Sequence, residues 1–465
     1  MQVYADININ SDYFQNPQGL FQIFKSEIHG FIDLVNFNDD TYARDIAITL
    51  AAGSDNLVIA SNNCNYITSD FLSQTLGIPS VQVISDTNEN TFSEIWNELR
   101  YNLNNNFINF QPGSKSGNLA DWAIFARAAT LEWKDPTGSD GKDTKMVLEA
   151  VCSDQTLSYC SGVATGWGDE DPFVSSLSKY AVFVHPSDWA VNMAALANVD
   201  QSNLLQKQNL NVNYNQQDTN IHTVTFVMTD GDNLQWLFND WYASQNWWGN
   251  SQRGQVPLGW TFSPSTVDLN PIELDQVLRE QTTNDELVTG PSGQGYTFLD
   301  SYNSNNLDYY SKVTLESMDR INMDIAVLIG HSSNKKYLNS LLQQSPSPLK
   351  GVFYWDYING YANSDPSICY FQNNIPVIKA RYSLWENGNG PYMYGVDQLV
   401  QQLSTLTKNI NNKGGYSMIP VHAWSHNYDD VVNVVNQLNA LGGFDVVSPT
   451  AFVDKFVKNV GEDNC

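Results

Sequence analysis

The second half of the chain repeats one alternation, and that alternation limits the possible folds more than any other feature. Short runs rich in β-branched and aromatic residues recur as TVTFVM (223–228), PLGWTFS (257–263), ELVTG (286–290) and DIAVLIG (324–330). They continue as GVFYWD (351–356), IPVIKARYS (375–383), YSMIPVHAW (416–424) and FDVVSP (444–449). Between them lie segments with apolar residues at helical spacing, such as PIELDQVLREQT, LDYYSKVTLESMDRI, GVDQLVQQLSTLTKNI and YDDVVNVVNQLNAL. Near-continuous apolar runs are strands covered on both faces, and parallel neighbours need helical crossovers. Eight such units in series predict a (β/α)8-type barrel, distorted wherever one strand is weak.

The preceding part reads as a separate α/β region of Rossmann-like character. NLVIAS (56–61), SVQVIS (80–85) and KYAVFVHP (179–186) have the pattern of buried strands. SDFLSQTLG, DWAIFARAATLEW (121–133) and SDWAVNMAALA have helical spacing. The stretch 200–220 is rich in Asn and Gln and lacks periodicity, which marks a boundary. The expected organisation is an α/β domain over 1–205 and a barrel domain over 206–465 that carries the site.

Composition narrows the partners. Fifty acidic against 23 basic residues give a net charge of −27, which repels nucleic acid and anionic lipid. Only 16% of residues are charged, so Asn, Gln, Ser and Thr supply much of the polarity. That surface suits a neutral, hydroxyl-rich ligand such as an oligo- or polysaccharide. No run approaches the ~18 apolar residues of a membrane span, so no membrane insertion is expected. The opening MQVYADININSDYF has neither the basic nor the apolar region of a signal peptide. Among five cysteines, Cys152 and Cys160 lie eight apart; they either close a loop in an oxidising compartment or stay ordinary thiols. Cys64, Cys369 and Cys465 show no metal-ligand spacing, and no Asn-X-Ser/Thr sequon occurs. Nothing in the sequence calls for a cofactor.

In a parallel barrel the chemistry sits at the C-terminal ends of the strands. The first strand delivers Asp230, Asp232 and Asn233 in VMTDGDNLQW, and the third leads to Tyr296. The fourth delivers His331, the fifth Asp356, and the sixth Arg381, Trp385 and Glu386. The seventh brings His422, Trp424 and His426. Two carboxylates at the end of a buried strand are costly to desolvate, and Asp232 or Asn233 is expected to cap the following helix. Glycoside hydrolysis needs two carboxyls flanking the scissile bond, so Asp230, Asp232, Asp356 and Glu386 are the catalytic candidates. Asn233, Tyr296, His331, Arg381, Trp385, His422, Trp424 and His426 are the candidates for holding substrate, since indoles stack on sugar rings and the polar groups meet hydroxyls. The spacing His422-X3-His426 fits a two-histidine metal site on a helix, but here it straddles a strand end, so no metal is assigned.

The loop GPSGQGYTFLD (290–300) carries a further signal, together with MTDGDNLQW, SDWAVNMAAL and VHAWSH. With these blocks the chain resembles the GxGYxYP putative glycoside hydrolases over roughly residues 25–460. The motif stands here as Gly293-Gln294-Gly295-Tyr296-Thr297-Phe298-Leu299, with Phe298 in place of its second Tyr and Leu299 in place of its Pro. The resemblance implies an α/β region ahead of a barrel-like catalytic region. It also implies hydrolysis of external glycans, hence a secreted or extracellular protein, but no particular catalytic pair. Two other readings stay open: a non-catalytic carbohydrate-binding or structural protein, and a metal-dependent, deacetylase-like hydrolase using Asp230 with His422 and His426.

Overall fold

The computed structural model describes residues 17–35, 41–61, 67–84, 91–113, 118–153, 160–199, 207–208, 210, 218–332, 335–344, 347–362, 369–386 and 390–465. They form two compact units, Met1–Ala150 and Val151–Cys465. The boundary expected at 205/206 falls outside the described residues, as does Cys64.

The first unit is mixed α/β. Strands β1 (Gly30–Leu34), β2 (Leu57–Ser61) and β3 (Ser80–Ile84) form a parallel sheet in the order β2-β1-β3. Two shorter strands, β4 (Phe107–Phe110) and β5 (Ala129–Leu131), pair in parallel. The helix expected over 121–133 is shorter than its periodicity suggested. It spans Ala120–Ala126, ends where Arg127 turns left-handed (φ +55°), and gives way to β5. Its apolar spacing therefore belongs half to a helix and half to a buried strand.

In the second unit all eight runs are strands. Ahead of them lie β6 (Gly162–Gly166) and β7 (Val182–Pro186), a parallel pair. The runs become β8 (His222–Met228), β9 (Leu258–Phe262), β10 (Asp285–Thr289), β11 (Ile325–Gly330) and β12 (Gly351–Asp356). A hairpin of β13 (Cys369–Gln372) and β14 (Ile375–Lys379) follows, then β15 (Ser383–Leu384), β16 (Met393–Tyr394), β17 (Tyr416–Val421) and β18 (Phe444–Val446). Every residue of β8 is buried, as expected of a strand covered on both faces.

Among the described residues these strands form no closed (β/α)8 barrel. One sheet runs β10-β9-β8-β17-β15-β16 with β18 also on β8; a second runs β11-β12-β14-β13. In an eight-stranded barrel the last strand separates the seventh from the first. Here β17 bonds directly along β8 from Thr223 to Met228, and β18 pairs only with the lower half of β8, residues His222 to Val224. Among the described residues no ladder joins β10 to β11. Instead the Val327 N–H donates to Thr289 Oγ1 (2.9 Å) and the Ile329 N–H to Ser292 Oγ (2.9 Å). Side-chain hydroxyls thus stand in for backbone carbonyls at that seam.

The β7 strand belongs to the second unit for a visible reason. Val184 and Tyr296 exchange backbone hydrogen bonds (2.9 and 2.8 Å), and Ser178 Oγ meets Thr297 Oγ1 at 2.6 Å. A Cβ on Gly295 would lie 2.8 Å from Val184 O, so only glycine lets the motif approach the strand this closely. Two disulfides lie in this unit. Cys152–Cys160 closes the short loop, and Cys369–Cys465 ties β13 to the chain end across 96 residues.

Candidate active site

The chain leaves β8 in an unusual turn that sets the site. Asp230 adopts φ +70°, and a Cβ at Gly231 would collide with the Thr261 carbonyl, so the DGD segment folds tightly over β9. Thr229 Oγ1 accepts from the Ala423 N–H (3.2 Å) and donates to Asp230 Oδ2. Trp424 Nε1 donates to the other carboxylate oxygen, Oδ1, at 2.8 Å. Asn233 sits at the N-cap position of the next helix, but its side chain makes no capping bond; it accepts from Gln235 Nε2 instead (3.1 Å). The expected cap is therefore positional only, and neither aspartate is taken up by it.

Asp230 and Asp232 open into a cleft of about 310 Å³. Glu170 and Asp188, from the segments that follow β6 and β7, add two more carboxylates. Tyr296 OH donates to Glu170 Oε1 at 2.8 Å, and its ring stacks on Trp167 (6.1 Å, 14°). Trp189, Trp355, Tyr361 and Trp424 supply the rest of the aromatic wall. Trp189 and Trp424 are about half exposed (45% and 50%), and Trp424 also packs against Trp236 (5.1 Å). Thr229, Asn233, Gln235 and Pro291 complete the lining.

The electrostatics follow from burial and crowding. Loss of solvent raises the Asp230 carboxyl to about 6, with Glu170 adding repulsion, while the Thr229 and Trp424 donors oppose the shift. Asp232 is pushed well above the usual carboxylate range by burial first and by the Asp230 charge second. Glu170 is raised by burial and partly restrained by the Tyr296 phenol. Two adjacent carboxyls therefore differ in how well their charge is supported, an arrangement that favours one acid and one base.

Of the residues expected from the sequence, Asp230, Asp232, Asn233, Tyr296 and Trp424 line this cleft. The others lie elsewhere. Asp356 forms a buried ion pair with Lys379 Nζ (3.2 Å). Its neighbour Trp355 lines the cleft, and successive strand side chains alternate in direction, which accounts for the difference. Glu386 is exposed, and its N–H donates to His426 Nε2 (3.0 Å). The His426 Nδ1 meets Asp430 Oδ2 at 3.0 Å, so one ring nitrogen is engaged by a backbone N–H and the other by a side-chain carboxylate. His422 stacks on Trp385 (3.8 Å, 8°), contacts Ser425 Oγ through Nδ1 (2.9 Å), and is lowered to about 4 by burial. His331 contacts Asp171 (3.0 Å), and Arg381 donates to the Gly414 carbonyl (3.3 Å). Among the described residues no group of three or more His, Cys, Asp and Glu is placed to hold a metal ion.

Sequence reasoning missed Glu170, Asp188, Trp167, Trp189 and Tyr361. The first four lie before 205/206 and were assigned to another domain; SDWA directly follows the run KYAVFVHP and so carried a strand-end signal, whereas no strand run was read ahead of TGWGDEDPF.

Comparison with known proteins agrees with this architecture. No curated protein matches the chain. A solved structure described as a putative hydrolase from Bacteroides thetaiotaomicron VPI-5482 is similar, with a TM-score of 0.78 and 22% identity. The match covers 96% of this chain and 83% of that one, and at this identity it speaks for the fold alone. The GxGYxYP third-domain model matches residues 104–198. The model of the GxGYxYP putative glycoside hydrolase C-terminal domain matches residues 220–456, more than half the chain, and the protein therefore belongs to the GxGYxYP putative glycoside hydrolase family.

Proposed function

We propose that the protein hydrolyses O-glycosidic bonds in the cleft beyond β8. The observation that carries this reading is the convergence of Asp230, Asp232 and Glu170 with half-exposed indoles in one small cleft. Asp232 has its charge least supported and is the proton donor to the leaving oxygen. Asp230, held by Thr229 and Trp424, keeps its charge more readily and acts as base or nucleophile on the opposite side. Glu170, fixed by Tyr296, orients substrate and sets the local field. Trp189 and Trp424 offer stacking faces for sugar rings. The cleft is near the lower end of the ~300–1,000 Å³ range of ligand sites, which suits a short terminal portion of a glycan. Two disulfides fit an oxidising compartment and hence a secreted protein.

The test is turnover of a panel of aryl and natural glycosides by wild type, Asp230→Asn, Asp232→Asn and Glu170→Gln. Loss of general acid or base is expected to lower kcat/KM by about 10²-fold or more for the two aspartate variants. Wild-type rates in both on any cleaved substrate would remove this assignment.

A further inference from the structure

The helix Glu170–Lys179 brings Glu170 to the cleft, yet its start is weakly held by its own residues. Asp169 stands at the N-cap position, and its side chain makes no capping bond. The two carboxylates of the first turn instead take partners from distant segments. Glu170 Oε1 accepts from Tyr296 OH (2.8 Å). Asp171 Oδ1 meets His331 Nε2 at 3.0 Å and also accepts from Ser175 Oγ (2.8 Å). An ionised carboxylate only accepts, so the His331 Nε2 carries the proton in this contact. Tyr296 and His331 are in turn joined by one ring. Phe298 is fully buried and lies edge-on to both, with centroids 5.5 Å from Tyr296 and 4.4 Å from His331. Glu170, Tyr296, Phe298, His331 and Asp171 thus form a closed circuit of contacts.

We infer that His331 is a positioning residue for the cleft: it holds Asp171 and, through the shared helical turn, keeps the adjacent Glu170 where it orients substrate. This rests on reading the cleft as the hydrolytic site. His331 and Asp171 lie outside the lining, so the influence is relayed and not direct. The histidine is the fixed end of the contact. It directly follows β11, which pairs with β12 along its whole length from Ile325 to Gly330. Its own N–H donates to Asp300 Oδ2 (3.0 Å), and the Tyr357 ring packs on the imidazole at 5.2 Å. Tyr296 therefore fixes the Glu170 carboxylate, while His331 fixes the turn that carries it. A hydrogen bond to a carboxylate is among the stronger ones, which suits a helix start that lacks a cap.

Variants of the full chain test the inference. His331→Phe keeps a ring against Phe298 and Tyr357 and deletes the donor, whereas His331→Gln returns an amide N–H. On any cleaved glycoside His331→Phe is expected to lower kcat/KM about tenfold, as a small displacement of an orienting group does, and His331→Gln to recover most of it. The loss should vanish when Glu170 is already disabled, so His331→Phe/Glu170→Gln stays within about twofold of Glu170→Gln alone. A general loss of structure would not give that non-additivity. The same loss in both backgrounds, or wild-type kcat/KM in His331→Phe, would overturn this inference and leave the hydrolase reading standing. Amide exchange reads the contact without turnover: residues 167–173 should exchange faster in His331→Phe and return to wild-type rates in His331→Gln. If no glycoside is cleaved, the hydrolase reading falls and exchange alone decides; unchanged rates at 167–173 in His331→Phe would then remove the positioning role. Should His331→Phe fail to fold, Asp171→Ala deletes the same contact from a half-exposed carboxylate and is held to the same outcomes.

Discussion

At the scale of single residues, Trp424 does two jobs with one side chain. Its N–H donates to Asp230 at 2.8 Å, while its ring is half exposed at the cleft. Trp424→Phe separates the two by keeping an aromatic face and deleting the donor. Losing a hydrogen bond to the charged form makes Asp230 harder to ionise, so its value moves up from about 6. If Asp230 must be ionised to act, the acidic limb of the kcat/KM profile shifts to higher pH, by about one unit for a charge-assisted bond. KM should change less than it does in Trp424→Ala, which removes the face as well. An unmoved acidic limb in Trp424→Phe would show that the indole N–H does not tune the reacting carboxylate.

At the scale of elements, the seam between β10 and β11 depends on two hydroxyls. Thr289→Val is nearly isosteric but leaves the buried Val327 N–H without an acceptor, and Ser292→Ala does the same to Ile329. Each is expected to cost about 1–3 kcal/mol in urea unfolding, with faster amide exchange at Val327 and Ile329. Equal protection in the double variant would mean that the seam is held by packing alone. The same seam shows why the architecture was only partly legible. Each strand was readable because a β-branched run buried on both faces has few alternatives. Closure was not, because it turns on which side chains bridge a gap and on β18 pairing with only the lower half of β8. The site divides in the same way. Asp230, Asp232, Tyr296 and Trp424, named from the strand-end rule, line the cleft, whereas Asp356 lies outside it by one residue of strand alternation. Glu170 and Asp188 were not named because candidates were sought only at strand ends after residue 206.

At the scale of the whole molecule, buried ionisable groups set how stability varies with pH, and their signs oppose one another. Burial lowers His185 to about 3 and both His222 and His422 to about 4, from 6.5. Between those values the unfolded chain binds more protons than the native one, so these histidines make stability rise with pH until about 6.5. Burial raises Glu286 and Glu273 from 4.5 to about 8, Glu286 also feeling the charge of Asp324. Their contribution is full below 4.5 and is lost as pH rises through 8, because there the native state holds protons that the unfolded chain has released. Below 6.5 the two sets offset each other; above it only the acids remain. Stability should therefore fall between pH 6.5 and 8, by on the order of 1–2 kcal/mol for each glutamate. Glu286 accepts from the Thr450 N–H (3.0 Å) and lies beside Asp324, so its ionisation loads a buried contact between β10 and the helix Pro449–Asn459. Calorimetric Tm at constant ionic strength reads the effect. Glu286→Gln, which keeps the shape and removes the proton equilibrium, should flatten the decline, and Glu273→Gln should do so independently because desolvation alone shifts that group. A wild-type Tm that holds level or rises across this interval would show that the glutamates are solvated in the native state, and the packing inferred around Glu286 would have to be redrawn.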